Sequence, residues 1–402
     1  MTSPITRLFG EGFRVFFLAA GLYAVFTLIV WEGWLGIHAA GGMVSDLPFA
    51  APPHLWHAHE MIFGYGTAAL GGFFLTAVPN WTGARAARHL FIATVAGLWL
   101  AGRLAVWYSA HLPPALVAVA DLAFLPVLGA KILTQLVKRP KPQNLMFLGL
   151  LTIIWTGNLM VHLEWTGIAG DTLWSGLRTG LLGLCAMIAV LGGRVTPSFT
   201  RNAMTKSGRE TRLPASRLPL DAAGIAGAIL LPLGFLAGLA EPVLGAVAGT
   251  AGLAALGRLA GWRGGWTLGQ PILWSLHLGY LMLATGYLAL ALALFGIGSE
   301  IASIHILGIG AVGGMTLAVM SRAALGHTGR PLVAPGPVAL SYGLLPVAAL
   351  LRGAGSVWPD LYYPAVLGAG ALWILAFTLY LAALWPVLWG PRAERAPVRP
   401  AP

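Results

Sequence analysis

The chain has 402 residues, of which 57% are hydrophobic and only 9% charged, with a formal net charge of +11. A soluble domain carries about 25% charged residues, so this chain lacks the charge to cover a water-facing surface. Its single cysteine, Cys185, excludes disulfides, iron–sulfur clusters and covalently attached haem, so any metal is held by His, Asp, Glu or Met, or arrives as non-covalent haem.

Runs of about 20 apolar residues recur from end to end and predict an all-α, polytopic integral membrane protein of about twelve transmembrane helices. The predicted spans are 12–37, 54–79, 89–110, 113–137, 144–166, 172–195, 218–240, 242–260, 270–297, 302–325, 336–351 and 358–389. The first is too long for a cleavable signal and lacks an A-x-A-like site, so it reads as a span. The second opens on His54-Leu55-Trp56-His57-Ala58-His59-Glu60. Three imidazoles and a carboxylate at the mouth of an apolar span imply a metal or a proton path. Prolines at 113–114 and at 242 make hairpins of spans three and four and of spans seven and eight. The whole reads as a single transmembrane domain: six spans over 12–195, a cytoplasmic loop at 196–217, six spans over 218–389 and a cytoplasmic tail at 390–402.

Basic residues fall on alternate connections, from Arg7 and Arg14 through Lys138 and Arg139 to the loop that holds Arg209, Arg212 and Arg217. Those connections are cytoplasmic by the positive-inside rule, which puts both termini inside. The basic charge is therefore a topology signal, and no nucleic-acid partner is expected. Opposite connections carry Glu32, Asp46, Glu164, Asp171, Glu241, Glu300 and Asp360. Arg103, Arg178 and Arg352 break the pattern in the outer half. They either snorkel to outer headgroups or act as counter-charges for buried carboxylates, such as haem propionates.

Spans two, six and ten run in one direction and echo one another weakly. Gly71-Gly72, Gly192-Gly193 and Gly313-Gly314 each precede a polar exit, and Pro79-Asn80-Trp81-Thr82 matches Pro197-Ser198-Phe199-Thr200. The pattern is that of a repeat of about four helices.

At 1.5 Å rise per residue, His57, His59, His162 and His305 all fall in the outer leaflet, and they form one layer if their helices are neighbours. His57 and His59 are two apart, about 200° around the helix, so they serve two neighbouring centres, or one binds while the other hydrogen-bonds. Glu60, three residues on, shares the face of His57. His277 lies near the opposite end of span nine, where a metal ligand or a bonded lone histidine are both open readings. Asn158 shares a face with His162 and can orient it. Asp121 is either a proton relay or a partner of Arg103. His38, His54 and His111 read as solvated, and His89 and His327 as inner-end residues.

The runs Trp56-His57-Ala58-His59-Glu60-Met61-Ile62-Phe63-Gly64, Thr76-Ala77-Val78-Pro79-Asn80-Trp81-Thr82-Gly83, Gly192-Gly193-Arg194-Val195-Thr196-Pro197, Leu276-His277-Leu278-Gly279-Tyr280 and Ser321-Arg322-Ala323-Ala324-Leu325-Gly326-His327-Thr328-Gly329-Arg330-Pro331 resemble the NnrS family. The resemblance implies a twelve-span bacterial inner-membrane protein that binds non-covalent, b-type haem and copper and is linked to nitric oxide stress. It carries over His57, His59, His277, His305 and His327 with Glu60, and matches His162 less distinctly.

Three functions follow as expectations. The first is a haem- and copper-binding protein that binds or turns over nitric oxide, with His57, His59, His277, His305 and His162 as metal ligands. Glu60 then tunes the site or relays protons, and electrons come from a membrane quinol or another donor. The alternative is a secondary transporter whose histidines are transient metal ligands. The third is a non-catalytic nitric oxide sink or sensor.

Overall fold

The computed structural model describes residues 3–393. Residues 394–402, the greater part of the expected tail with Arg395 and Arg399, lie outside the described residues.

Twelve helices are long and apolar enough to cross a membrane, one for each predicted span. They are α1 (Gly12–Ala39), α2 (Pro53–Thr82), α3 (Leu90–Trp107), α4 (Pro114–Leu136), α5 (Pro142–Trp165), α6 (Leu173–Lys206), α7 (Leu218–Leu236), α8 (Glu241–Ala260), α9 (Pro271–Leu294), α10 (Glu300–His327), α11 (Gly336–Val357) and α12 (Pro359–Trp389). No strand occurs among the described residues, as expected where every backbone polar group must be satisfied within its own segment. Several helices open on proline in the first turn, where its missing N–H is not needed.

Helices consecutive in sequence pack side by side, and α12 closes back onto α1. Two helices sit innermost: α6, with 89% of its most apolar stretch buried, and α2, with 78%. Apart from the histidines and Glu60 at the start of α2 and the arginines of α6, both are apolar or small on all sides, which is the composition an enclosed helix needs. Glycine sets the closest approach. A Cβ on Gly157 of α5 would stand 2.7 Å from the Gly176 carbonyl of α6, and one on Gly176 would stand 2.6 Å from the Gly157 carbonyl. Backbone meets backbone there, as in small-residue interfaces of membrane helices. α6 also runs on to Lys206, so residues 196–206, assigned to the loop from sequence, are helical. At roughly 1.5 Å per residue this helix exceeds the ~30 Å hydrocarbon core, so it projects beyond it.

Three helices depart from regular geometry. α2 is π-helical over Glu60–Gly66 and α10 over Ile306–Gly313, each starting on the residue after a histidine, His59 or His305. Such wide turns recur at functional sites. The Gly64 carbonyl inside the first accepts from Trp99 Nε1 at 3.0 Å. α4 breaks at Ala123. Pro126 has no N–H for the Leu122 carbonyl four residues back, and Trp155 Nε1 of α5 donates to that oxygen instead, at 3.1 Å. The break lies two residues beyond Asp121. The repeat read in α2, α6 and α10 thus shares its wide turn between α2 and α10, whereas α6 is regular throughout.

Candidate functional site

His57 and His59 point to opposite sides of α2, as their two-residue spacing predicts, and each joins a different group of residues. His59 and Glu60 are fully buried, facing α3, α4 and α5. His59 Nδ1 lies 2.7 Å from Glu60 Oε1, and its Nε2 lies 2.9 Å from Asn158 Oδ1 and 3.3 Å from Asp121 Oδ2. His162 Nε2 is 2.8 Å from the same Asp121 oxygen, to which Asn158 Nδ2 also donates at 2.8 Å. Arg103 pairs with Glu60 at 2.5 Å and with Asp121, and the Tyr23 hydroxyl donates to Glu60. A buried charge persists only when paired and hydrogen-bonded. Here every carboxylate oxygen has a donor, yet two carboxylates face one guanidinium. Gly102 makes the approach possible, since a Cβ there would stand 2.9 Å from Asp121 Cα.

One ligand atom from each of His59, Asp121 and His162 lies within 4.8 Å of the others. Two imidazole nitrogens and a carboxylate oxygen converging in this way form a donor set suited to a divalent transition metal or copper. The Glu60 carboxylate holds the far nitrogen of His59, the usual way a ligating imidazole is fixed in tautomer and orientation.

On the other side of α2 lies a cavity of about 430 Å³ between α1, α2, α6, α10, α11 and α12. That is within the roughly 300–1,000 Å³ of small-molecule and cofactor sites. Its walls are mostly apolar and aromatic, including Trp31, Met61, Trp174, Tyr362 and Trp373, and its polar groups are Glu32, His54, His57, His305, Tyr65 and Arg352. The His57 ring stacks on Trp31, with centroids 5.0 Å apart and planes 17° apart, and its buried Nδ1 has no hydrogen-bond partner among the described residues. His305 Nδ1 sits 2.7 Å from the Ile301 carbonyl, which makes it the N–H donor and leaves Nε2 as the nitrogen with a free lone pair. Arg352 is buried and bonds Ser356 within its own helix.

The outer-leaflet layer expected from sequence is thus two sites back to back on α2. His59 and His162 meet in one, His57 and His305 in the other. Three expectations change. Glu60, read as sharing the face of His57, belongs with His59: regular α spacing ends at Glu60, and Tyr23 and Arg103 supply its donors on the His59 side. Arg178, read as a counter-charge for a cofactor, is instead bound to Glu300 by two bonds of 2.6 and 2.7 Å at a half-exposed position. Arg103 pairs with Asp121, one of the two readings open for that carboxylate, and with Glu60, so its charge goes to the protein's own carboxylates and not to a cofactor's. Of the three outer arginines, Arg352 lines the cavity.

His277 joins neither site. Gly279 packs against Gly314 and Met315, which puts His277 about 17 Å along the bundle from His305 by helical rise. It is buried, with Nε2 2.9 Å from Thr200 Oγ1 and with Nδ1 lacking a partner among the described residues. His327 packs on Phe13 at 5.6 Å, and His38 stacks on Trp34 at 5.5 Å. His54, expected to be solvated, lines the cavity with His57, as their three-residue spacing on one helix face allows. Glu32 was read with the outer connections, yet it lies inside α1 on the cavity wall. Tyr23 carried no signal: it is one aromatic among many in an apolar helix.

Comparison with curated proteins finds none that matches the chain. The family model described as NnrS protein matches residues 7–392, nearly the whole length, and the chain therefore belongs to the NnrS family of multi-span membrane proteins.

Proposed function

We propose that this protein binds haem and copper and uses them to bind nitric oxide. The observation that carries the reading is the cavity of about 430 Å³ in which two imidazoles, His57 and His305, each present an uncommitted nitrogen among aromatic walls. His305, held through Nδ1 by a backbone carbonyl, would offer its Nε2 to the haem iron. His57, stacked on Trp31, would be the second imidazole available to the iron in the same cavity. Arg352 supplies the positive charge that propionate carboxylates need in an apolar setting.

Copper fits the other group. His59, His162 and Asp121 would hold it, with Glu60 fixing His59 and Asn158 spanning His59 and Asp121. The excess of one carboxylate over Arg103 is the charge that a bound monovalent cation would balance. Bound haem supplies a redox-active iron that takes nitric oxide as a ligand, and copper supplies a second one-electron centre. The protein's own residues hold these groups, exclude water from the cavity walls and, through Tyr23, Glu60, Arg103 and Asp121, form a continuous hydrogen-bonded chain beside the second centre. Glu60 positions His59 in this scheme. Electrons come from a membrane quinol or a separate donor.

The transporter reading needs ligands that exchange with solvent, whereas His59 and Glu60 are wholly buried. The alternation of basic connections supports an inner-membrane location with both termini in the cytoplasm. The test is purification with optical and elemental analysis: a Soret band, bound copper and a spectral change when nitric oxide is added to the reduced protein are expected. Well-folded protein that stays colourless and metal-free after haem and copper are supplied would overturn the proposal.

A further inference from the structure

A second void, of about 50 Å³, lies deeper in the bundle than the histidine cavity, among α1, α2, α6 and α10. Its walls include Phe17, Leu70, Met187, Ile188, Met315 and Met320. Leu184 and Val312 line both this void and the larger cavity, so they form the partition between them. The void lies between the two wide turns: Gly66 ends the π-helical segment of α2, and Val312 lies in that of α10. An extra residue per turn on both sides displaces the backbone and leaves a gap that regular helices would close.

The chemistry of the gap is uniform. Among the described residues that line it, Thr316 has the one hydroxyl, and that hydroxyl bonds Tyr65 and, at 2.7 Å, the Val312 carbonyl. Water entering the void would find no free polar partner, and an apolar lining of this kind favours apolar guests over water. The volume is several times the roughly 10–15 Å³ that a cavity needs to hold one water. Methionine side chains from two helices border it, and these unbranched thioethers change shape at small cost.

We propose that this void is a binding site for a small, uncharged, apolar gas of diatomic size, which passes between it and the histidine cavity across the Leu184–Val312 partition. An uncharged gas concentrates in hydrocarbon relative to water, so an apolar pocket between the helices raises its local concentration beside the cavity. The passage rests on the cavity being the nitric oxide site; occupancy of the void does not.

Two measurements test this. Crystals of the full-length protein pressurised with xenon should show one xenon between Leu70, Met187 and Met315. The atom should be lost in Ala69→Leu and Ile188→Phe, which fill the void from residues that do not line the larger cavity. Xenon absent from the void of the unaltered protein overturns the binding site. In the haem-loaded protein, nitric oxide rebinding after flash photolysis should change several-fold in both variants while the absorption spectrum stays the same. Rebinding identical to that of the unaltered protein overturns the passage. Protein that takes up no haem defeats the reading of the cavity, and the xenon measurement still decides the void.

Discussion

His59 Nδ1 lies 2.7 Å from Glu60 Oε1, and that same oxygen lies 2.5 Å from Arg103 Nη1. One carboxylate therefore sets the orientation of the imidazole and shares the charge of the buried guanidinium. Its neighbour in sequence, His57, takes no part and stacks on Trp31 on the other side of α2. The back-to-back arrangement makes the two centres separable by mutation.

His305→Ala is expected to abolish haem retention and leave copper in place, whereas His162→Ala should lose copper and keep the Soret band. Haem by pyridine haemochrome and copper by mass spectrometry, measured on the same preparations, check the pair. Loss of both metals in either variant would show that the two centres are one.

Glu60→Gln keeps the size of the side chain and removes the charge that fixes His59. Loss of such a supporting carboxylate lowers metal affinity about 10–100-fold. A copper titration with a competing chelator reads this shift. Glu60→Ala goes further and unpairs one side of Arg103, at a cost of about 3–5 kcal/mol for breaking a buried pair. Thermal unfolding in detergent of Glu60→Ala, Arg103→Ala and the double variant should give a combined loss smaller than the sum, because the two residues share one network.

Arg178 and Glu300 are 32% and 31% exposed and their bridge lies outside the cavity, so its loss leaves the haem pocket untouched. Arg178→Gln should leave stability and haem content near those of the unaltered protein. Arg352→Gln, which removes a buried cationic wall of the cavity, should reduce haem retention markedly. Equal effects from the two substitutions would contradict the assignment of Arg352.

Gly157→Ala places a methyl against the Gly176 carbonyl, where a contact of 2.7 Å forces α5 and α6 apart. Overpacking of this kind costs about 1–3 kcal/mol. Since α5 carries Asn158 and His162, the same change should lower copper occupancy while haem is retained. Melting temperature and copper stoichiometry report the two effects separately.

Trp155→Phe removes the indole N–H that serves the Leu122 carbonyl at the break in α4. The full penalty for an orphaned buried carbonyl is about 1–3 kcal/mol, and this part-buried one should cost toward the lower end. The break sits beside Asp121, so copper affinity should fall with the melting temperature. A variant of unchanged stability would show that the carbonyl finds another donor.

The number and order of the spans are legible in the apolar runs alone, because hydrocarbon tolerates helices of about twenty mostly apolar residues and leaves most charges to the connections. The sequence also determined that His57 and His59 face opposite ways, since the α-helical period is a property of one helix, and that four histidines share one depth. Which histidine meets which was decided by packing. The approach of Gly157 to Gly176 seats α5 against α6, and the α4 break at Ala123 lies beside Asp121, in the network that α3, α4 and α5 build around His59. The wide turn beginning at Glu60 ended the spacing rule at the residue where it was being applied, and donors on neighbouring helices took the carboxylate to the His59 side. Arg178 likewise found Glu300, 122 residues away in sequence. Periodicity fixes directions around one axis; partners across axes are fixed only by the packed bundle.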